Sequence, residues 1–146
     1  MVLPALADKT LVVIGGTTGL GLSAARAFLA AGARGVVVTG RSAESAAAAC
    51  AELGERSEAV LGDAAGPDHA VEAIALARRR FGEFNGLYHV AGGSGRRMGD
   101  GPLHEVTDAG IEATLQLNLN ALIRSNRAAV CQFLALCRNV TAEVEQ

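Results

Sequence analysis

A short apolar run, Leu11-Val12-Val13-Ile14, ends directly on the glycine-rich stretch Gly15-Gly16-Thr17-Thr18-Gly19-Leu20-Gly21, and a helix-period segment opens from its last glycines. No other junction constrains the chain as strongly. An unbroken Val/Ile/Leu run bounded by glycine fits a parallel strand covered on both faces. Glycine is required where the backbone turns with positive φ, and where a Cβ would block the approach of another group. The helix that follows presents first-turn N–H groups with no partners of their own. Strand, glycine turn and helix together therefore make a cradle for an anion.

The alternation continues along the chain. Ala25, Phe28, Leu29 and Gly32 recur at helical spacing, and Gly32 closes that helix. Val36-Val37-Val38-Thr39 is a second strand, after which Ser42 is placed to cap a helix running through Ala46–Ala49 to Gly54. Glu58 to Leu61 makes a weaker third strand, and Asp68 to Phe81 a helix with Val71, Ile74, Ala75 and Arg78 on successive turns. Leu87-Tyr88-His89-Val90 is the fourth strand, followed by a glycine-rich loop from Gly92 to Gly101. Thr107 then caps a last helical stretch whose apolar stripe is Leu115, Leu119, Leu122, Ile123, Val130, Phe133, Leu134 and Cys137. Strands alternating with helices predict a parallel sheet with right-handed crossovers, in one domain over residues 1–146 without repeat or linker.

Composition removes several classes of function. Half of the residues are apolar, 3% are aromatic and 18 are glycine, a mixture suited to helices lying close on a sheet. Thirteen basic residues against fifteen acidic ones leave a net charge of −2 and no surface for nucleic acid. The Arg78-Arg79-Arg80 run reads as a solvated helix end, where the dipole favours cations. Cys50, Cys131 and Cys137 form no CxxC pair, which argues against a disulfide framework or a zinc site; Cys131 and Cys137 read as small core residues.

The apolar region from Leu11 to Val38 is broken by six glycines and by Arg26 and Arg34, so no membrane span is expected. Neither a basic segment nor a long apolar one precedes Ala5-Leu6-Ala7, so no secretory leader is expected and the location is expected to be cytoplasmic. The glycosylation-acceptor pattern Asn139-Val140-Thr141 would then go unused. A P-loop needs a lysine after its last glycine, and the only lysine is Lys9. Arg96 breaks a G-x-S-x-G pattern begun at Gly92, and His104-Glu105 lacks the second histidine of a zinc-protease helix.

What remains is the glycine loop. Gly19, Gly21 and Ala24 fit the G-x-G-x-x-A dinucleotide fingerprint. The expected fold is a Rossmann-like doubly wound parallel sheet of about four strands, in the order 3-2-1-4, with flanking helices. At the end of the second strand a NAD site carries an acid for the ribose 2′-hydroxyl, whereas an NADP site carries an arginine. Thr39-Gly40-Arg41-Ser42 offers no carboxylate, and Arg41 can pair with a 2′-phosphate, so NADP(H) is expected over NAD(H).

From about Thr10 to Leu136 these residues resemble the short-chain dehydrogenase/reductase family. Gly15, Gly19 and Gly21 match its loop spacing G-x-x-x-G-x-G, and Asp63 in Leu61-Gly62-Asp63 matches its acid beside the adenine. His89-Val90-Ala91-Gly92 matches part of the Asn-Asn-Ala-Gly that ends its fourth strand, with His89 itself a packed strand residue. Asn118 matches the asparagine at a local distortion of the family's long helix. The resemblance implies a nicotinamide dinucleotide held by Gly15, Thr17, Thr18, Gly19, Leu20, Gly21, Arg41, Ser42, Asp63, Ala64, Ala91, Gly92 and Gly93. It implies for Asn118 a catalytic role, supporting a proton relay through water. Arg96 and Arg97, near the expected cofactor mouth, read as a solvated loop.

The family's chemistry also uses a Ser and a Tyr-x-x-x-Lys, the Tyr as general acid/base and the Lys lowering its pKa. The only tyrosine here is Tyr88, on the fourth strand, and Lys9 precedes the first. The chain reaches Gln146 directly after the helix that should lead into a fifth strand. It is therefore expected to bind NADP(H) as an incomplete domain, without hydride transfer by itself. Two alternatives stand beside this: an active NADP-dependent reductase completed by a missing segment or a second chain, and a non-catalytic oligomerisation or interaction module. A homo-oligomer through the helix around Leu119–Cys137 is expected under all three.

Overall fold

Both faces of a central sheet are covered by helices, which is why its strands read as unbroken apolar runs. The structure is a computed structural model that describes residues 5–144, with their side chains as far as residue 135. Its strands are β1 (Thr10–Ile14), β2 (Gly35–Gly40), β3 (Ser57–Leu61) and β4 (Gly86–His89). All pairings are parallel, in the order β3-β2-β1-β4 that the sequence predicts. Helices α1 (Gly19–Ala30), α2 (Ala43–Leu53) and α3 (His69–Phe81) form the crossovers. The loop after β4 contains one 3₁₀ turn, Arg96–Met98. The last predicted helical stretch divides into α4 (Asp108–Leu115), a π-helical turn (Gln116–Asn120) and α5 (Ala121–Val144).

Val36, Val37 and Val38 are fully buried and face alternate sides of the sheet. Val37 packs with Val12, Ile14, Phe84 and Ala129 and with Ala70, Ala73, Ile74 and Ala77 of α3. Val36 and Val38 pack with Val13 and Ala33, with Ala25 and Leu29 of α1, and with Ala49 of α2. Small residues bring the layers together. A Cβ on Gly35 would stand 2.5 Å from the Phe81 ring, so α3 ends against the start of β2 only because glycine is there. Between α1 and β2, Arg56 donates from Nη1 to the Ala33 carbonyl at 2.8 Å and from Nη2 to the Leu29 carbonyl at 3.4 Å. This closes the chain after α1 with a cation, as its dipole favours.

Two expectations change. Helix α3 turns Ala70, Ala73 and Ala77 inward beside Ile74, and leaves Val71 52% exposed, because packing beneath the sheet favours the small residues over the larger valine. Cys131 is exposed instead of lying in the core, since the inner side of α5 is made by Ala121, Ser125 and Ala129. The apolar stripe consequently faces outward, with Leu119, Ile123, Val130 and Leu134 each about half exposed. The side chain of Cys137 and the pattern at Asn139 lie outside the described side chains. Among the described residues no helix is long and apolar enough to cross a membrane.

Burial lowers the pKa of two histidines. His69, at the start of α3, is 6% exposed, and its Nε2 has no hydrogen-bond partner among the described residues. Burial pushes its pKa below the ordinary 6.5, against the opposing pull of Glu72 and Asp63. His89, at the end of β4, is lowered by burial against the opposing effect of its bond to the Ala91 carbonyl.

Phe84 is 1% exposed and stacks on Phe133 with centroids 5.1 Å apart, so Phe84→Ala is expected to cost about 3–5 kcal/mol in denaturant unfolding. A cost under about 1 kcal/mol would contradict its place in the core. For the histidines, the unfolded chain binds protons as pH falls below about 6.5 while the folded one resists. Their stabilisation is thus present above that pH and lost as pH falls through the lowered folded values. The unfolding midpoint is expected to drop as pH falls below about 6.5, and less steeply in His69→Asn/His89→Asn; equal slopes for the two proteins would refute this.

Candidate functional site

Ligands of open α/β sheets bind beyond the carboxyl ends of the strands, where the strand order reverses. Here the reversal lies between β1 and β4, and a cavity of ≈ 480 Å³ opens there. Its floor is the loop after β1, contributing Gly15, Thr17, Thr18, Gly19 and Leu20. One wall comes from the ends of β2 and β3, with Arg41, Ser42, Asp63 and Ala64; the other comes from Ala91 and Gly92 after β4.

The loop depends on close backbone approach. Gly15 has φ +84°, and a Cβ on it would stand 2.7 Å from the Ala91 nitrogen. Gly19 has φ +53°. The end of β2 holds the loop from the other side: Gly15 N–H donates to Thr39 Oγ1 at 3.2 Å and Gly16 N–H to the Thr39 carbonyl at 2.9 Å.

Two of the predicted cofactor-binding residues stand outside the cavity lining, as does Asn118. A Cβ on Gly21 would overlap the Gly15 carbonyl, so this glycine lets α1 start directly over the loop. Gly93 is held by Asn118, whose Oδ1 accepts from Gly93 N–H at 3.0 Å and whose Nδ2 donates to the Gly93 carbonyl at 2.7 Å. Asn118 Nδ2 also donates to the Thr114 carbonyl at 2.9 Å. Asn118 stands in the π-helical turn, at the local distortion its resemblance implies, and its amide joins that turn to the loop after β4.

Charge is arranged unevenly across the site. Ser42 Oγ accepts from Ser45 N–H at 3.2 Å to cap α2, which carries Glu44 in its first turn. Thr107 caps α4 in the same way. Helix α1 differs, for no side chain among the described residues caps it and its first turn holds no acid. Its positive end faces the cavity without a partner from its own sequence. Arg41 is exposed at the rim, with no carboxylate in ion-pair distance among the described residues. Asp63 is exposed too, and its Oδ1 accepts from Ala65 N–H at 2.9 Å, shaping the turn after β3. Arg96 and Arg97 are exposed and lie outside this cavity.

Further lining residues are Thr39, Gly40, Ser45, Gly62, Val90 and Leu117, none of them singled out by the sequence. Most adjoin a predicted residue and were legible as strand-end positions. Ser45 lies one turn beyond the Ser42 cap. Leu117 enters through the π turn, which no periodicity announces.

Such a set of elements provides hydrogen-bond donors for an anion, one cation at the rim and one acceptor for a polar ring. The sequence profile described as short chain dehydrogenase matches residues 9–139. The chain is 30% identical over 134 residues to 3beta-hydroxysteroid dehydrogenase 2 of Eggerthella lenta, covering 90% of this chain and 50% of that protein. A solved short-chain type dehydrogenase/reductase from Mycobacterium ulcerans superposes with a TM-score of 0.77 at 28% identity, over 87% of this chain and 47% of the other. A short chain dehydrogenase from Bacillus anthracis gives 0.79 at 25% identity, over 90% and 52%. The chain thus spans about half the length of the relatives it matches. It belongs to the short-chain dehydrogenase/reductase family of oxidoreductases.

Proposed function

We propose that this chain is the nicotinamide-dinucleotide-binding portion of a short-chain dehydrogenase/reductase, and that it takes NADP(H) in preference to NAD(H). The observation that carries this reading is the uncapped start of α1 above a glycine loop, with Arg41 beside it at the end of β2. The pyrophosphate is assigned to the N–H groups of Gly19, Leu20 and Gly21, where charge and donors coincide. The adenine is assigned to the wall with Asp63 and Ala64, and the 2′-phosphate to Arg41 with Ser42. The nicotinamide end is assigned to Ala91, Gly92 and Gly93, where a bare backbone allows close approach.

When bound, the dinucleotide supplies or accepts hydride. The residues of this chain bind and orient it. The family's Ser and Tyr-x-x-x-Lys are not among the 146 residues, so hydride transfer is assigned to a protein carrying those groups together with this portion. In such a protein Asn118 would support the proton relay, at the cost of one of its present backbone bonds. The substrate is left to those same residues.

A second reading concerns assembly. The outward apolar residues Leu119, Ile123, Val130 and Leu134 lie along α5 and the turn before it, each about half exposed. A contiguous stripe of this kind favours burial against a second copy, in a two-fold arrangement.

Titration with NADPH and NADH, read by fluorescence or calorimetry, tests the nucleotide reading. NADPH is expected to bind more tightly, and Arg41→Ala to weaken it by about 10- to 100-fold, as loss of a charge-assisted contact does, while changing NADH by less than about twofold. Failure of a folded, monodisperse sample to bind either nucleotide would sink the reading. For assembly, sedimentation should give a dimer or larger species, reduced to a monomer by Ile123→Glu/Val130→Glu. A monomeric wild-type chain, or a variant that assembles equally well, would refute it.

A further inference from the structure

Helix α5 stands behind the cavity, and none of its described residues lines it. Two consecutive residues near its start nevertheless reach the cavity's two walls. Arg124 Nη1 donates to the Ala65 carbonyl, and Ala65 follows Ala64 on the adenine side. Ala65 N–H is itself bonded to Asp63 Oδ1, so this turn is tied on both sides. Ser125 is 1% exposed, and its Oγ lies 2.8 Å from His89 Nδ1. The other ring nitrogen of His89, Nε2, lies 2.9 Å from the Ala91 carbonyl, on the opposite wall.

Neutral imidazole has one donor and one acceptor, and these partners match them. Nε2–H serves the Ala91 carbonyl, which leaves Nδ1 as an acceptor for the Ser125 hydroxyl, whose single hydrogen is shared with the Leu122 carbonyl 3.0 Å away. Adjacent residues on a helix point about 100° apart, which lets one turn of α5 reach two separate loops. Both connections end on backbone carbonyls of residues beside or within the cavity lining. Both run through partly or fully buried groups, where a hydrogen bond is stronger than in water.

We propose that Arg124 and Ser125, the latter through His89, are positioning residues that set the two walls of the cavity from behind. Arg124 governs the adenine wall, and the Ser125–His89 pair governs the nicotinamide wall. This rests on the nucleotide reading above, which states which wall receives which half.

The test compares NADPH with adenosine 2′,5′-bisphosphate, which lacks the nicotinamide ribose, by calorimetry on the full chain. Arg124→Met is expected to weaken both probes by about 3- to 10-fold, and Arg124→Lys, which keeps one donor, to recover most of that loss. Ser125→Ala should weaken NADPH by a similar factor while leaving the bisphosphate within about twofold. His89→Phe should do the same, and the double variant should lose no more than either single one, because both break one chain of bonds. A general loss of stability would weaken both probes alike. Equal weakening of the two probes by Ser125→Ala, or no change from either Arg124→Met or Ser125→Ala, overturns the proposal while the nucleotide reading stands. A wild-type chain that binds no nucleotide overturns both. Should Ser125→Ala fail to fold, His89→Asn takes its place, and should the chain prefer NADH, NADH and ADP replace the two probes.

Discussion

At the carboxyl end of β1, backbone passes against backbone with no side chain between, and the rest of the site hangs on that contact. The first turn of α1 rests on the Gly15 carbonyl because Gly21 has no Cβ, and Gly15 lies against Ala91 for the same reason. The Ile14 carbonyl accepts from both Val90 N–H, at 2.8 Å, and Ala91 N–H, at 2.9 Å, drawing the loop after β4 onto the same point. The uncapped end of α1 is thereby brought over the strand ends with its donors directed at the cavity. A helix dipole acts only within its first turn, so a methyl group that pushed the helix away would remove most of the attraction.

Close approach through small residues governs the packing as well as the site. Helix α5 settles on β4 and α3 through Ala121, Ser125 and Ala129, spaced four apart, and its larger apolar residues have nowhere to go but outward. One helix therefore presents an apolar outer stripe, a small-residue inner face, and polar side chains at the boundary that reach the loops around the cavity. The exposed stripe and the ties from Arg124 and Ser125 are consequences of the same geometry.

Much of this was legible along the chain. The strands and crossovers followed from short apolar runs separated by helical spacing, as a parallel sheet buried on both faces requires, and the strand order from the dinucleotide fold that the glycine loop implies. The caps at Ser42 and Thr107 were legible because their effect is local. The inner face of α3 was not, since Val71 and Ala70 are both apolar and only the space beneath the sheet distinguishes them. Nor was the exposure of Cys131, for the same reason on α5. Arg56 closing the end of α1, and the tie from Arg124 to Ala65, join residues distant in sequence, and nothing local marks either one.

The sequence by itself determined the glycine loop, the strand before it, the helix after it and the arginine at the next strand end, because each is a matter of backbone freedom, spacing or charge within a few residues. Only the tertiary structure decided which side chains meet around the cavity, that Gly21 lets α1 start over the loop, that Asn118 holds Gly93, and that His89 joins Ser125 to Ala91. Those outcomes depend on distances between segments of the chain, which are set when the helices close on the sheet.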